Sequence, residues 1–241
     1  MYDLPHLSLR QMTECGIMLR TLHTKAASME DVCQLMVHHL YVTMLADGPR
    51  ACALVRAYRT QPYAALDAKL QSYAREQGGQ KPEPRTPCWT LLATAGDEPE
   101  LNARRGSLSQ RAIPLGSVEA LQGQPMIAQL VAQLGIDAQA IVYPDRNVTV
   151  DLQKRACNVF YVEEARGSPY IPAQDFVQRY GVRSVLGFGS LLPAGDLFAV
   201  LLFARAHIPR ETAELFRPLA LAAKLSLLRF ADGRAVDVQH A

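Results

Sequence analysis

The sequence predicts an α+β fold, in which a central and mostly antiparallel sheet is flanked by helices. Apolar strand-like segments mostly follow one another along the chain with helical segments between them, an order typical of antiparallel or mixed sheets. The clearest segment is residues 182–205, where two apolar strands meet at Pro193-Ala-Gly-Asp196. The 241 residues are 49% hydrophobic and 20% charged, a composition that predicts a sizeable core rather than a disordered chain.

The net charge and the length of the apolar runs exclude several classes of protein. A net charge of +2 gives no reason to expect nucleic acid or an anionic membrane surface as a partner. The longest apolar run, residues 197–204, is much shorter than the ~20 residues that span a membrane. The first residues lack a basic segment followed by an apolar one, so we predict no secretory signal and expect a cytoplasmic protein.

The N-terminal residues 1–47 are predicted to form a helical segment, followed by one domain at 48–231 and a flexible tail at 232–241. The first helix carries apolar side chains at spacings of three and four, namely Met12, Cys15, Leu19, Leu22 and Ala26. This spacing is typical of a coiled-coil seam that dimerises or transmits a signal, and equally of a helix packed on its own domain. Ser28 is the predicted cap of a second helix that ends near Leu45.

Within the domain, apolar periodicity and turn residues place the elements in order. The strands are predicted at residues 50–60, 88–95, 158–163, 182–192 and 197–205. The helices are predicted at residues 62–77, 125–134 and 173–180, and from residue 209 onward. Pro209 is expected in the first turn of the last helix, and Pro218 is expected to kink it. Residues 138–143 fit either a short strand or a helix end.

Two stretches of this pattern resemble a known family. The hairpin and helix at residues 182–230, with the turn that ends in Gly195-Asp196, resemble the last third of GAF domains, a fold closely related to PAS. The strand Asn158-Val-Phe-Tyr-Val-Glu163 and the loop after it resemble the region before that hairpin in GAF-like sensors of bacterial histidine kinases. The resemblance covers about residues 50–230.

The GAF resemblance implies an intracellular sensor of signal transduction whose small-molecule ligand lies between the sheet and the helices and loops that cover it. It implies a homodimer formed through the N-terminal and C-terminal helices, and a separate or fused signalling output domain such as the histidine kinase of a two-component system. The chain shows neither the cysteine setting of bilin-binding phytochromes nor the signature of cyclic-nucleotide-binding GAF domains. The ligand is therefore left open.

Six residues are candidates for the wall of a ligand pocket: Trp89, Cys157, Tyr161, Tyr170, Arg183 and Phe188. Gly187 and Gly189 flank Phe188 in one strand, a pattern that indicates a bulge or the close approach of a ligand or another backbone. Phe188 and Tyr161 would then line a pocket, and the alternative is ordinary packing of a helix on the sheet. Tyr170 lies in a loop stiffened by two prolines, which would serve as a lid or as a plain connection. Arg183 would meet an anion.

Two alternatives involve a metal or a thiol. His39 lies on the apolar face of the second helix, where it would be either a haem or metal ligand or a hydrogen-bonded core histidine. Cys52, Cys88 and Cys157 lie at or beside strands, where they would serve a thiol-based redox sensor or a GAF-fold sulfoxide reductase, or be buried hydrophobes. The five cysteines include no closely spaced pair, so no disulfide framework or CxxC motif is predicted.

No catalytic residue is predicted. The sequence contains no nucleophile elbow, no P-loop, no dinucleotide-binding fingerprint and no pair of carboxylates at a recognisable spacing. Apart from the haem alternative at His39, no cofactor and no metal site is predicted. The favoured hypothesis is a sensor without enzymatic activity, and a dimerisation scaffold without any ligand is a further alternative.

Overall fold

The computed structural model describes residues 1–78, 82–102, 112–144 and 158–231, so the predicted tail at 232–241 lies outside the described residues. Its strands are β1 (Tyr2–Asp3), β2 (Met44–Leu45), β3 (Cys52–Pro62), β4 (Pro87–Gly96), β5 (Ala112–Pro114), β6 (Asn158–Val162), β7 (Ser184–Leu191) and β8 (Leu197–Ala204). The last six form one sheet in the order β5–β4–β3–β8–β7–β6, and every neighbouring pair is antiparallel. The predicted α+β class with an antiparallel sheet flanked by helices is confirmed.

Helices lie on both sides of this sheet. They are α1 (Leu9–Thr21), α2 (Met29–Thr43), α3 (Ala68–Gly78), α4 (Pro99–Asn102), α5 (Val118–Gln122), α6 (Pro125–Gln133), α7 (Ala138–Val142), α8 (Gln174–Arg179), α9 (Arg210–Glu214) and α10 (Arg217–Ala231). Of residues 138–143, which fitted either a strand or a helix end, Ala138–Val142 are thus helical and Tyr143 is the C-cap. Within the described ranges, no helix combines the length and the apolar character needed to cross a lipid bilayer.

Local signals in the sequence explain where several elements begin and turn. The Ser28 hydroxyl caps α2 by accepting a hydrogen bond from the Asp31 backbone N–H at 3.1 Å, and the Asp31 carboxylate accepts one from the Ala27 N–H. The turn between β7 and β8 closes with the Leu192 N–H donating to the Asp196 carbonyl at 2.8 Å. Gly195 has a φ of +90° in this turn, a conformation that side chains with a Cβ rarely adopt.

The two faces of the sheet bury two separate cores. On one face, which we call the long-helix face, α2 and α10 pack on the strands and α1 packs on α10. On the other face, which we call the short-helix face, the apolar side chains of α5, α6, α7 and α8 cover the strands. Strand β3 contributes to both cores, since Val55 and Ala57 belong to the long-helix face and Leu54 and Tyr58 to the short-helix face.

Burial on both faces also explains the weak alternation of the strand sequences. All residues of β7 and β8 are buried, and so are all residues of β4. Strands covered on both sides have no solvent-facing positions, so they are nearly continuous apolar runs instead of alternating polar and apolar residues. The imperfect alternation of residues 50–60 therefore reflects a central position in the sheet.

The apolar seam of the first helix packs on its own chain. Met12, Cys15 and Leu19 are buried in the core of the long-helix face. Gly16 lies against α10, where a Cβ at this position would be 3.5 Å from the Leu219 Cδ2 atom and 3.9 Å from the Ala222 Cβ. Of the two interpretations of this seam, the structure therefore shows the helix packed on its own domain.

Two expectations about prolines are corrected by the structure. Pro218 does not kink one long helix, because the chain forms two helices, α9 and α10, and Pro218 is the second residue of α10. At that position the missing N–H costs no helical hydrogen bond. Pro209 is the N-cap of α9, with an extended backbone at φ −62° and ψ 149°, and not its first helical residue.

The glycines of β7 do not form a bulge. The register of β7 is continuous against both β6 and β8, and the shifts in register occur in β3 instead. A Cβ at Gly189 would lie 2.5 Å from the Phe198 carbonyl oxygen, and one at Gly187 would lie 2.6 Å from the Leu201 Cδ2 atom. The close approach indicated by these glycines is therefore made by neighbouring protein atoms.

Candidate functional site

A small cavity lies between the sheet and the short-helix face. Its volume is about 110 Å³. The residues around it come from β3, β8, α4, α6, α8 and the segment before α8, and they are Leu54, Arg56, Leu101, Met126, Ile171, Pro172, Ala173, Phe176 and Phe203. Of these described wall residues all but Arg56 are apolar, and a mostly apolar wall with a few polar groups is typical of small-molecule sites.

Arg56 gives this cavity its charge. The residue is 6% exposed and lies in the middle of β3, opposite Thr94 of β4 and Leu201 of β8. Its Nη1 donates a hydrogen bond to the Tyr58 hydroxyl at 3.4 Å. Guanidinium groups remain charged in proteins, and a buried charge is costly unless polar groups or counter-charges surround it. A buried arginine on a cavity wall is therefore the strongest chemical signal in the described part of the chain.

Two stacked aromatic rings lie next to Arg56 in the core of the short-helix face. The Tyr58 ring stacks on the Trp89 ring, with centroids 5.0 Å apart and planes at 10° to each other. Both residues are fully buried. The Trp89 Nε1–H has no hydrogen-bond partner among the described residues. Trp89, a predicted pocket residue, thus does not line the cavity itself. It contacts Tyr58, whose hydroxyl is hydrogen-bonded to the wall residue Arg56.

Phe188 and Trp89 are not brought together. Phe188 lies in the core of the long-helix face, with its ring centroid 6.3 Å from that of Phe216, whereas Trp89 lies in the core of the short-helix face. The predicted pair of Phe188 and Tyr161 does share the long-helix face, where Tyr161 is half-buried. Packing of helices on the sheet fills the space around Phe188, which was the alternative interpretation.

Tyr161 connects three elements. Its hydroxyl donates a hydrogen bond to the Ile208 carbonyl, ahead of α9. Its backbone N–H donates to the Gln133 Oε1 at 2.6 Å, and its carbonyl accepts from the Gln133 Nε2 at 3.1 Å. Burial raises the pKa of Tyr161 to about 12, and the nearby Glu163 carboxylate adds to the shift. Tyr161 therefore connects β6, to which it belongs, with α6 and with the segment before α9.

The other described candidates for the pocket wall are not among the residues that line the cavity. Tyr170 is 40% exposed and borders an open groove of about 580 Å³ against α5 and α6. Arg183 is exposed, and its backbone is bonded to Ala204 and Ala165. Cys157 lies outside the described residues. The described site candidates thus occupy several separate places: Trp89 stacks on Tyr58, the hydrogen-bond partner of Arg56, and Tyr170 directly precedes the wall residue Ile171.

His39 and the described cysteines lie in apolar surroundings. The His39 Nε2 atom is buried without a hydrogen-bond partner among the described residues, its ring faces Tyr2 edge-on at 6.1 Å, and burial lowers its pKa. In the part of the chain that the structure describes, no group of three or more His, Cys, Asp or Glu residues is arranged to hold a metal ion. No metal-binding partners for His39 are therefore found in that part of the chain.

Burial also makes three of the cysteines poor nucleophiles. It raises the pKa of Cys15, Cys52 and Cys88 to about 12 each, so the thiolate form is scarce near neutral pH. Cys52 lies in the core of the long-helix face, while Cys88 lies in a separate small cluster beside α3. These residues behave as small buried hydrophobes, and nothing in their setting favours a thiol-based sensor or a reductase.

Sequence reasoning missed Arg56, Phe176 and Phe203. The signal for Arg56 was present, because it is the one charged residue within the apolar run Cys52-Ala-Leu-Val-Arg-Ala-Tyr58. A charge in the middle of a strand that is buried on both faces must enter a core, and such a charge is retained where it has a partner or a function. The two phenylalanines carried no signal, since apolar side chains at helical or strand spacing fit any core.

No family model matches the chain, and no curated protein matches it. Among solved structures, the chain is similar to the phycocyanobilin-bound GAF domain of a cyanobacterial phytochrome, at 8% identity and a TM-score of 0.47, covering 93% of this chain and 97% of that chain. It is similar to the GAF domain of an Acinetobacter phosphoenolpyruvate-protein phosphotransferase, at 11% identity and a TM-score of 0.44, with coverages of 93% and 97%. It is also similar to a fragment of a methyl-accepting chemotaxis protein, at 10% identity and a TM-score of 0.49, with coverages of 90% and 99%. Two of these three structures are GAF domains, the family that residues 182–230 resemble.

Proposed function

We propose that this protein is the sensory domain of a signalling system and that it binds a small molecule in the cavity beside Arg56. The observation that carries the proposal is the cavity itself, in which the buried Arg56 guanidinium lies beside apolar side chains among the described wall residues. Sites of this kind hold small ligands, since the apolar wall supplies affinity and the few polar groups supply orientation. The resemblance of residues 182–230 to GAF domains predicts a ligand in the same place, between the sheet and its covering helices.

Strand β3 is the proposed path from the cavity to the helices at the two ends of the chain. Leu54 and Arg56 face the cavity, whereas Val55 and Ala57, their neighbours in sequence, face the core that holds α2 and α10. A shift of β3 on ligand binding would therefore move Val55 and Ala57, and with them the surface of the sheet on which these helices pack. The ligand would act by its different affinity for two arrangements of the helices.

The proposal includes a homodimer formed through α1 and α10. These helices pack on each other, and both expose apolar side chains to solvent, with Ile17 at 54% and Leu221 at 50% exposure. A second copy of the chain would cover this surface in a symmetric contact between identical faces. The proposal also includes a fused or separate output domain, such as the histidine kinase of a two-component system, in the cytoplasm. The thiols of Cys15, Cys52 and Cys88, which form no disulfide, suit such a reducing compartment.

The cavity is tested by closing it. In the variant Ala173→Phe, a ring at the rim of the cavity would fill the space in front of Phe176, while the exposed Ala64→Phe adds the same ring far from the cavity. Native mass spectrometry would report a copurified ligand, and ligand-observed NMR with a fragment panel would report binding to the purified protein. We expect wild type and Ala64→Phe to bind ligands that Ala173→Phe does not bind. Equal binding by all three proteins would contradict the proposed site.

A further inference from the structure

We propose that the Asp97 carboxylate couples the two faces of the sheet, so that a displacement of α8 on the short-helix face is transmitted to α2 on the long-helix face. The inference goes beyond the proposed function, because it concerns a connection within the chain and does not depend on the ligand cavity. Three observations carry it: the place of Asp97 at the end of the sheet, the two groups that its oxygens hold, and the further contacts of those groups.

The pairing of the strands brings Asp97 and Arg205 to the same end of the sheet. Asp97 directly follows β4 and Arg205 directly follows β8, and both strands run antiparallel to β3. The ends of β4 and β8 therefore meet the start of β3. The Asp97 N–H donates to the Ala53 carbonyl at 3.2 Å, and the Arg205 N–H donates to the Ala51 carbonyl at 2.7 Å. Both residues are thus held against the same short segment of backbone.

The two oxygens of the Asp97 carboxylate hold two different groups. Oδ1 accepts a hydrogen bond from the Tyr41 hydroxyl of α2 at 2.6 Å, and Oδ2 forms an ion pair with the Arg205 Nη2. The Tyr41 hydroxyl also accepts a hydrogen bond from the Arg50 Nη1 at 3.1 Å, and the Arg50 guanidinium lies over the Tyr41 ring. Hydrogen bonds to ionised groups are short and strong. A displacement of Arg205 would therefore move the carboxylate, and with it the Tyr41 hydroxyl.

Arg205 extends the contact to α8. Its Nε donates to the Tyr180 carbonyl at 3.1 Å, and its Nη1 donates to the Cys52 carbonyl at 3.2 Å. Tyr180 is the C-cap of α8, and its ring centroid lies 4.9 Å from that of Phe176 in the same helix. Because a guanidinium is planar and rigid, a shift at the end of α8 reorients all its N–H groups together, including the one that holds Asp97. The contacts thus run without a break from α8 to α2.

The first experiment loosens α8 and measures hydrogen exchange in the last turn of α2, residues 38–43. Val177→Ala removes two methyl groups from the buried side of α8, and the control Val131→Ala removes the same groups from α6 in the same core. We expect Val177→Ala alone to speed this exchange, by at least about twofold, the lower end of the effects that coupling residues have in proteins. In the background Tyr41→Phe, which lacks the hydroxyl, the effect should disappear. An effect that is missing in wild type, equal for Val131→Ala, or unchanged by Tyr41→Phe would overturn the inference.

The second experiment runs in the opposite direction and decides the inference even where Val177→Ala fails to fold. Coupling between two sites is reciprocal, so Tyr41→Phe alone should speed hydrogen exchange at the end of α8, residues 178–181. The matched control is Gln34→Ala, which removes a different hydrogen bond between α2 and β4, from the Gln34 Nε2 to the Thr94 carbonyl. Equal exchange of α8 in Tyr41→Phe and Gln34→Ala would overturn the inference. The ligand-binding test with Ala173→Phe concerns the cavity alone, so the two proposals fail separately.

Discussion

Trp89 lies flat against Tyr58, with ring centroids 5.0 Å apart, and the Tyr58 hydroxyl accepts a hydrogen bond from the Arg56 guanidinium. The only tryptophan of the chain is therefore connected through one residue to the wall of the candidate ligand cavity. The stack belongs to the core of the short-helix face, so the contacts beside the proposed ligand cavity also stabilise the fold.

The Tyr58 ring should contribute much more to stability than its hydroxyl. Tyr58→Ala should lower the free energy of unfolding by about 3–5 kcal/mol, because it removes a buried aromatic ring and leaves a cavity against Trp89. Tyr58→Phe keeps the stack and should cost about 1 kcal/mol for the hydrogen bond of the hydroxyl. Urea unfolding followed by Trp89 fluorescence measures both. Equal losses in the two variants would show that the stack adds no stability.

The ion pair between Arg59 and Asp196 should stabilise the β7–β8 turn. The Arg59 Nε donates to the Asp196 Oδ2 at 3.1 Å, and the two side chains are 18% and 13% exposed. Asp196→Ala should lower the free energy of unfolding by about 2–3 kcal/mol, since it leaves a largely buried guanidinium without this carboxylate. Glu14→Ala removes the exposed ion pair with Arg10 and should change the free energy of unfolding by at most about 0.5 kcal/mol. Chemical denaturation of the two variants provides the comparison.

Replacing a glycine by alanine should lower the stability of the protein in β7 and raise it in α1. Gly189→Ala should destabilise the protein by about 1–3 kcal/mol, because the new Cβ would lie 2.5 Å from the Phe198 carbonyl oxygen. Gly16→Ala has ordinary contacts to Leu219 and Ala222 and should stabilise α1 by about 0.5–1 kcal/mol through helix propensity. Thermal unfolding measures both signs. A neutral Gly189→Ala would mean that β7 and β8 can separate at little cost.

The exposed apolar surface of α1 and α10 should determine the oligomeric state. We expect a wild-type dimer in light scattering, and a monomer for Ile17→Glu combined with Leu221→Glu, because each dimer would bury four carboxylates. Tyr143→Glu, which changes an exposed aromatic residue far from this surface, is the matched control and should stay dimeric. Substitution of Leu19 would not be informative, since this residue is part of the core of its own chain. A monomeric wild type would contradict the proposed dimer.

The buried thiols should make the protein less stable at alkaline pH. Burial raises the pKa of Cys52 to about 12, whereas the thiol of an unfolded chain ionises near about pH 8.5. Below about pH 8.5 the Cys52 thiol keeps its proton in both the folded and the unfolded state, so its contribution to the free energy of unfolding is fully present. As the pH rises toward 12, the unfolded state alone loses the proton, so the free energy of unfolding falls. Cys52→Ala should make this fall less steep in urea titrations between about pH 8 and about pH 10, and an unchanged slope would argue against a buried, protonated thiol.

Much of the fold could be predicted from the sequence, whereas most of the site could not. The hairpin around Gly195 and the cap at Ser28 follow from short-range preferences of turn and cap residues. The cavity depends on Arg56, Phe176 and Phe203, which are up to 147 residues apart in sequence and meet only when β8 pairs with β3 and α8 packs on the sheet. None of the described pocket candidates lines the cavity, although Tyr170 directly precedes the wall residue Ile171 and Trp89 stacks on Tyr58, the hydrogen-bond partner of Arg56.

The sequence by itself determined the order of the five longest strands, the turn before Asp196 and the α+β class, because periodicity, caps and turns act over a few residues. Only the tertiary structure decided which face of the sheet each side chain meets. The pairing of β3 with β8 turned Arg56 toward the cavity, and the pairing of β7 with β6 and β8 sent Phe188 into the opposite core. The packing of α10 turned the seam of α1 inward. The physical reason is that burial depends on partners distant in sequence, and local patterns do not specify these partners.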